Sequence, residues 1–390
     1  MIDFDFVCPT RLVFGKKKEE EIGRIAASYG FKKTLILFGS DRVRSYLLPL
    51  VEKKLEEEGV SYVEKGGVRP NPTISFVREA LALARKENVD FVLALGGGSV
   101  IDTAKSVSAS FYYEGDPFDF NKKTAKVGKT LPIGTILTIS SAGSEMSNSC
   151  VIQDDEIKVK VGFNSDKIRP LFSILNPELT YSVPEYQTSA GISDTMMHSL
   201  ERYFDPSEGD QLADAWALAL VKSTMKAGKK ALEDPHDYEA RATLMLNSSL
   251  SHNGYTGIGK QFGFVVHPIE HAMSGYCADI VHGAGVALIF PAWARHVYKR
   301  DLPKFARLAR ELFDIREQDD EKASIIGIDA METYFASIGM PTSLKEVGLG
   351  KSDIPALANL ATGNGTRVIG CCHQSLDVND VEAILSRLAQ

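Results

Sequence analysis

The chain is expected to fold as an α/β domain built on a parallel sheet over residues 1–183, followed by an all-helical domain over residues 184–390. Two observations predict this. Short apolar runs ending in glycine or polar turns alternate with amphipathic stretches up to LFSILNPELTYSVP, and beyond Pro184 the strand-like runs give way to long helical periodicity. Such alternation means a parallel sheet covered on both faces. At 390 residues the chain also exceeds the size at which one hydrophobic core keeps growing.

Taken in order, RLVFG leads through the charged helical stretch KKKEEEIGRIAASYG into a strand at 34–38, whose unbroken apolar run suits burial on both faces. A helix is expected over 43–59 and a short strand over 61–63. The Pro-Asn-Pro loop and Thr/Ser start of PNPTISFVREALALARKENVD open an amphipathic helix, and 91–95 is the next strand. In the second half, helices are expected over 186–204, 209–232, 237–251, 281–298, 302–313, 320–338 and 378–388. Their apolar stripes read as core.

A net charge of -7 and a pI near 5.7 argue against nucleic acid or an anionic membrane as the main partner, since both favour clustered Lys and Arg. No run approaches the roughly 18 apolar residues of a spanning helix, and the acidic start MIDFDFVCPT lacks a signal-peptide pattern, so a cytoplasmic protein is expected. The five cysteines, Cys8, Cys150, Cys277, Cys371 and Cys372, show no Cys-x-x-Cys pairing and read as reduced thiols.

The strand at 91–95 runs into Gly96, Gly97, Gly98 and Ser99, with a helix expected from Val100. Backbone N–H groups freed at a helix start point toward an anion, and the helix dipole reinforces them. This turn is therefore the phosphate-binding candidate, although a triple glycine also serves simply as a tight turn. It is not the G-x-G-x-x-G fingerprint, whose third glycine would fall at Ile101. Asp102 and Lys105 lie in the first turns of that helix. In LPIGTILTISSAGSEMSN, Thr138, Ser140, Ser141, Gly143, Ser144 and Glu145 crowd a second strand exit and offer hydroxyls to a ribose or phosphate. Ligands collect at the carboxyl ends of parallel strands, so the two exits together suggest a nucleotide crevice. Lys160 reads as a phosphate partner or as a solvated lysine.

Three of the eight histidines, His267, His271 and His282, fall close together. The first two share a helical face, a spacing that fits a metal pair or ordinary core or surface histidines equally well. His282 opens a His-Gly-Ala-Gly turn, where glycines allow close backbone approach. Asp194 and His198 are also four apart, which on its own describes a solvated pair as well. With His267 and His282 they supply one carboxylate and three imidazoles, a set suited to Fe(II) or Zn(II) and not to Ca or Mg. His236, His252, His296 and His373 have no partner at ligand spacing and read as structural or surface residues.

GGGS followed by VIDTAK, the AGSE loop, Asp194 with His198, and His267, His271 and His282 in this order resemble the iron-containing (group III) alcohol dehydrogenases. The resemblance runs from PTRLVFG to GMPTSLKEVGL, and GGVRPNP with LALGGGSVIDTAK is most similar to the butanol dehydrogenase and broad aldehyde reductase branch. It implies a Rossmann-like dinucleotide-binding domain, a helical metal-binding domain, and an NAD(P)-dependent enzyme that moves a hydride between nicotinamide and a primary alcohol or aldehyde. It also implies Fe2+, with Zn2+ as the alternative, held by Asp194, His198, His267 and His282, with His271 beside them as a proton relay. Gly96, Gly97, Gly98, Ser99, Asp102, Thr138, Ser141, Lys160 and Leu179 fall in the nucleotide set. A homodimer acting on a small alcohol or aldehyde is expected.

Gly39, Ser40, Asp41 and Arg42 follow the strand expected to meet the adenosine ribose. An acid there favours NAD by binding the 2'-hydroxyl and repelling a 2'-phosphate. The position matching the family's NAD-selecting Asp is Gly39, and Ser40 with Arg42 can accommodate a phosphate, whereas Asp41 pulls the other way; the balance leans to NADP. Three departures stand out: Ala142 where the family often has Thr, Asn176 in place of the Asp of a Leu-Asp-Pro motif, and one extra residue between His267 and His282. Glycerol dehydrogenase and dehydroquinate synthase types, the nearest rivals, usually show different ligand sets.

Overall fold

The computed structural model describes residues 1–207, 211–261, 263–370 and 375–389; Gly209, where a helix was expected to start, and Cys371, Cys372 and His373 lie outside them. The strands in chain order are β1 (Arg11–Phe14), β2 (Lys33–Phe38), β3 (Ser61–Gly66), β4 (Phe91–Gly96), β5 (Ile133–Leu137), β6 (Ser149–Asp154), β7 (Val159–Asn164) and β8 (Phe172–Leu175). Six pair in parallel in the order β1-β8-β5-β4-β2-β3, and β6 and β7 form a separate antiparallel hairpin. That hairpin went unread in the sequence because charged residues at 154–158 break its alternation.

The helices are α1 (Ile22–Ser28), α2 (Leu48–Glu57), α3 (Ile74–Lys86), α4 (Gly98–Ser110), α5 (Glu185–Tyr203), α6 (Gln211–Glu233), α7 (Tyr238–His252), α8 (Val266–Tyr276), α9 (His282–Val297), α10 (Leu302–Phe313), α11 (Asp320–Ser337), α12 (Ile354–Ala361) and α13 (Val378–Ser386). Successive side chains of a strand point to opposite faces. Leu35 and Leu37 of β2 accordingly join one core with Val77 and Leu81 of α3 and Ile101 of α4, whereas Ile36 and Phe38 join another with Ile22 and Ile25 of α1 and Val51 of α2. Each large side chain so buried contributes about 1.5–3 kcal/mol. The sheet is thus a double-sided layer, and this is why its inner strands β2, β4, β5 and β8 carry no regular polar alternation, whereas the edge strand β3 stays largely exposed or half-buried.

One compact unit comprises Val7–Val183 and Pro235–Asn253; the other comprises Met1–Phe6, Pro184–Asp234 and the chain from Gly254 onward. A single cut between 183 and 184 therefore does not describe the division. The chain does cross there, but α7 returns to the sheet unit, and the first six residues belong with the helices. Among the described residues no helix is long and apolar enough to cross a membrane.

Because β2, β4, β5 and β8 are adjacent and parallel, Gly39, Gly96, Thr138 and Asn176 leave the same edge of the sheet. In the helical unit, Phe204 stacks on Phe305 with centroids 4.3 Å apart and meets Trp293 edge-on at 5.4 Å, a rigid floor at the end of α5.

Candidate metal centre and nucleotide loops

Helix α5 is buried at every residue from 188 to 203, so any charge it carries must be met. Asp194, His198 and Glu201 lie at i, i+4 and i+7, along one face. His267 sits in the first turn of α8, and His282 is the first residue of α9. The glycines after His282 explain how α9 comes so close: a Cβ on Gly283 would fall 1.9 Å from the Ala190 carbonyl oxygen of α5, and one on Gly285 would lie 2.7 Å from Glu270 Cγ.

His267 Nε2 and His282 Nε2 each lie 3.6 Å from Asp194 Oδ1, and ligand atoms of these three residues all fall within 4.8 Å of one another. Two donors about 2.1 Å from a common ion at a tetrahedral angle stand about 3.4 Å apart, so the spacing fits a shared metal. His267 Nε2 is buried and has no hydrogen-bond partner among the described residues. An unmet buried nitrogen costs about 1–3 kcal/mol, a cost that a bound ion removes. His198 stands beside this triplet: its Nδ1 is 2.9 Å from the Asp194 carbonyl oxygen and 3.2 Å from Oδ1, and its ring is centred 4.5 Å from that of His267. His271 falls in a different grouping, with Glu270 and His282. Its ring is 5.5 Å from that of His282 and 6.3 Å from that of His267.

Two carboxylates outside the expected ligand set hold the outer nitrogens. His267 Nδ1 donates to Glu201 Oε2, and His282 Nδ1 donates to Glu270 Oε2. A carboxylate on Nδ1 leaves the Nε2 lone pair facing inward, the form a metal needs. Glu201 has a second task. Its Oε1 accepts from the backbone N–H groups of Val265 at 2.7 Å, of Val266, and of His267 at 3.3 Å, capping the start of α8. The signal for both was present: Glu201 continues the Asp194–His198 face, and Glu270 lies three residues after His267.

Burial works against the charged Asp194, but the imidazoles of His198, His282 and His267 outweigh it and hold its carboxyl below the usual range. For His198 burial wins and keeps the ring neutral. For His267 burial is outweighed by Glu201 and Asp194, and the ring is pushed up to about 9.

In the sheet unit, Gly97 is the N-cap of α4, which opens at Gly98, two residues before the expected start. A Cβ on Gly97 would lie 2.2 Å from Ile139 Cγ2, and one on Gly98 3.2 Å from Ala142 Cβ, so the glycine turn packs on the exit of β5. Thr138 donates its N–H to the Gly96 carbonyl at 3.2 Å. Ser141 is gripped by α7: its N–H donates to Ser248 Oγ at 3.0 Å, and Ser248 Oγ donates back to its carbonyl at 3.0 Å. Gly143, in the left-handed region at φ +63°, has the Ser248 carbonyl oxygen 2.4 Å from where a Cβ would be. Ser249 donates to Glu145 Oε1 at 2.5 Å. Ser248 and Ser249 are not among the expected site residues, because the helical periodicity of α7 does not show that it packs in the sheet unit.

Asp102 turns both oxygens to the protein, accepting from Ser144 Oγ at 2.6 Å and from Val151 N–H at 2.8 Å. Lys160 is half-buried in β7. Leu179 is buried, and its carbonyl accepts from Arg42 Nη2 at 3.2 Å, which brings it next to the exit of β2. There Ser40 and Asp41 are exposed. A Cβ on Gly39 would meet the Val68 carbonyl oxygen at 2.5 Å. Asn176 donates to both oxygens of Glu19, at 3.0 and 3.1 Å; the buried carboxylate needs a donor there, which an Asp could not supply in its charged form.

Known proteins similar to this chain show its family. A relative from Clostridium acetobutylicum, NADH-dependent butanol dehydrogenase A, is 38% identical over 99% of this chain and 100% of its own. The NADPH-dependent aldehyde reductase YqhD of Escherichia coli is 30% identical over 97% of this chain and 98% of its own. The crystal structure of an NADH-dependent butanol dehydrogenase A from Thermotoga maritima superposes with a TM-score of 0.96 at 35% identity, covering 100% of this chain and 99% of that one. The family model described as iron-containing alcohol dehydrogenase matches residues 9–177, and that of the family's C-terminal part matches residues 188–389. The chain belongs to the iron-containing alcohol dehydrogenase family, in its butanol dehydrogenase branch.

Proposed function

We propose that this NAD(P)-dependent alcohol and aldehyde oxidoreductase acts on short primary alcohols and aldehydes of the butanol and butyraldehyde kind, with NADP preferred to NAD. The observation that carries the metal chemistry is the convergence of His267 and His282 on Asp194 Oδ1, with His267 Nε2 lacking any hydrogen-bond partner among the described residues. Asp194, His267 and His282, with His198 as the fourth donor, would hold a divalent iron, which would supply Lewis-acid chemistry at the substrate oxygen. Glu201 and Glu270 keep the two imidazoles turned toward it. The nicotinamide nucleotide would carry the hydride, and the N–H groups at the start of α4, after Gly97, would face its pyrophosphate.

The cofactor preference is supported by Gly39, where the Val68 carbonyl leaves no room for the side chain of an NAD-selecting acid. Relatives divide on this point, some being named for NADH and others for NADPH. His271, half-buried beside His282, is suited to hand a proton to water. His271→Ala should keep the metal while slowing turnover, and loss of metal would make it a ligand. A cytoplasmic homodimer is part of this reading. The free thiols Cys8, Cys150 and Cys277 suit a reducing compartment, and a monomer mass by light scattering would remove the dimer.

The deciding experiment reconstitutes the protein with Fe(II) or Zn(II) and follows nicotinamide absorbance with butyraldehyde and either NADPH or NADH. Faster turnover with NADPH is expected. Equal or better turnover with NADH overturns the cofactor preference, and no oxidation of either cofactor with any short aldehyde overturns the substrate reading.

A further inference from the structure

One charged side chain in the sheet unit has no place in this chemistry and yet is completely enclosed. Lys105, in the second turn of α4, is fully buried. Its three N–H donors are all used: to Ser144 Oγ at 2.9 Å, to Ser147 Oγ at 3.0 Å and to the Ser149 carbonyl at 2.7 Å. Ser144 and Ser147 lie between β5 and β6, and Ser149 is the first residue of β6. One turn earlier on the same helix, Asp102 accepts from Ser144 Oγ and from Val151 N–H, and its backbone carbonyl accepts from Cys150 Sγ at 3.2 Å. The carboxylate is 4.0 Å from the ammonium. Ser144 is therefore shared, giving its proton to Asp102 and its lone pair to Lys105.

We propose that Lys105, acting with Asp102 through Ser144, is a positioning residue for the cofactor site, latching the serine-rich segment at 140–149 onto the helix that begins at the glycine turn. The inference rests on the reading of those two loops as the nucleotide site. The physical argument begins from cost. Enclosing an ammonium is unfavourable, and burial pushes this one down to about 8 despite the nearby Asp102. A fold needing only packed volume would be served as well or better by an apolar side chain of the same length, since buried ionic clusters add little net stability. What three fixed donors supply and a methylene chain cannot is one geometry for a loop without regular structure. The other side of that loop is held by Ser248 and Ser249 of α7, so with Lys105 beneath it the loop is gripped from both sides. The anchored end of α4 is continuous with the N–H groups of Gly98 and Ser99, so a shift at Ser144 displaces both halves of the site together.

The test compares wild type with Lys105→Met, which keeps the chain length, and with the milder Ser147→Ala, which removes one acceptor if the first variant folds poorly. Val51→Ala, in the core on the opposite face of the sheet, controls for general loss of stability. Amide exchange is followed over 140–151 in the metal-loaded protein without nucleotide, and KM for the nicotinamide cofactor is measured apart from kcat at saturating cofactor. For Lys105→Met, faster exchange confined to 140–151 is expected, with KM for the cofactor raised roughly ten-fold and kcat within about two-fold. Ser147→Ala should shift both in the same direction by less, and Val51→Ala should lower the melting temperature without either change. Unchanged exchange in that segment, or a KM matching that of Val51→Ala at equal loss of melting temperature, overturns the proposal. Should wild type turn over neither cofactor, the functional reading fails, while the exchange measurement still decides whether the latch exists.

Discussion

Glu201→Gln separates the two tasks of one carboxylate. In the native protein Oε1 accepts the N–H groups of Val265, Val266 and His267, and Oε2 accepts from His267 Nδ1. A glutamine of the same shape has one acceptor and one donor end. Three converging amide donors hold its oxygen at the start of α8, which turns its NH2 toward His267 Nδ1. The imidazole then accepts at Nδ1 and carries its proton on Nε2, the nitrogen 3.6 Å from Asp194 Oδ1, where the metal would bind. Loss of such an orienting partner costs 10- to 100-fold in metal affinity, or about 1.4–2.7 kcal/mol. The helix cap is retained, but the carboxylate that holds the His267 pKa up is gone, so at neutral pH the metal-free protein should lose about 1–3 kcal/mol, the scale of a buried polar group left without its partner. Competition against a chelator of known affinity reads the first quantity, and thermal unfolding after chelator treatment reads the second. Metal affinity within two-fold of wild type would refute the claim that Glu201 sets the tautomer.

The pH dependence of metal uptake follows from His267. Its pKa is raised from the ordinary 6.5 to about 9, so in the metal-free protein its contribution to stability is complete below about 6.5 and is lost as pH rises through about 9. Metal requires the neutral ring, so uptake near pH 7.5 should release about one proton. Calorimetry in two buffers of different ionisation enthalpy measures this, and zero release contradicts the raised value. Gly283→Ala places a methyl group 1.9 Å from the Ala190 carbonyl oxygen, so α9 must move away from α5. The expected loss is about 1–3 kcal/mol in the metal-free protein, with weaker metal binding because His282 moves with the helix. Melting curves with and without metal test both, and an unchanged metal-induced shift would show that His282 is placed independently of this contact.

The parallel sheet was legible because strands buried on both faces, such as β2 and β4, are uniform apolar runs that end in glycine. The hairpin of β6 and β7 was not: residues 154–158 read as a polar loop, and its stability comes from pairing and from contacts to α3 and α4 that no local pattern encodes. The candidate ligands were legible as residue types at helical spacing. Their geometry was not, since it depends on how far α9 can sink against α5 where Gly283 meets Ala190, a property of two backbones 93 residues apart in sequence. Glu201 and Glu270 were missed for a related reason. A glutamate inside a helix ordinarily reads as a solvated charge, and only burial shows that each must have found a partner. The helix expected at 237–251 is present as α7 but packs in the sheet unit instead of with the helices, because an amphipathic stripe specifies that a helix packs without specifying on what.

That last helix has a consequence for how the protein is made. The loop carrying Ser141, Gly143 and Glu145 is held by Ser248 and Ser249, about 110 residues further along the chain. At synthesis rates of 5–20 residues per second, the emerging loop remains without α7 for roughly 5–20 s. During that interval the sheet can assemble, but the candidate nucleotide loops are left unclamped, and α5 with the first candidate metal ligands emerges before they can be completed. A fragment ending at residue 183 would stay in that state permanently. It should form the six parallel strands and bind nucleotide poorly, and a separately supplied α7 segment would be needed to finish the loop.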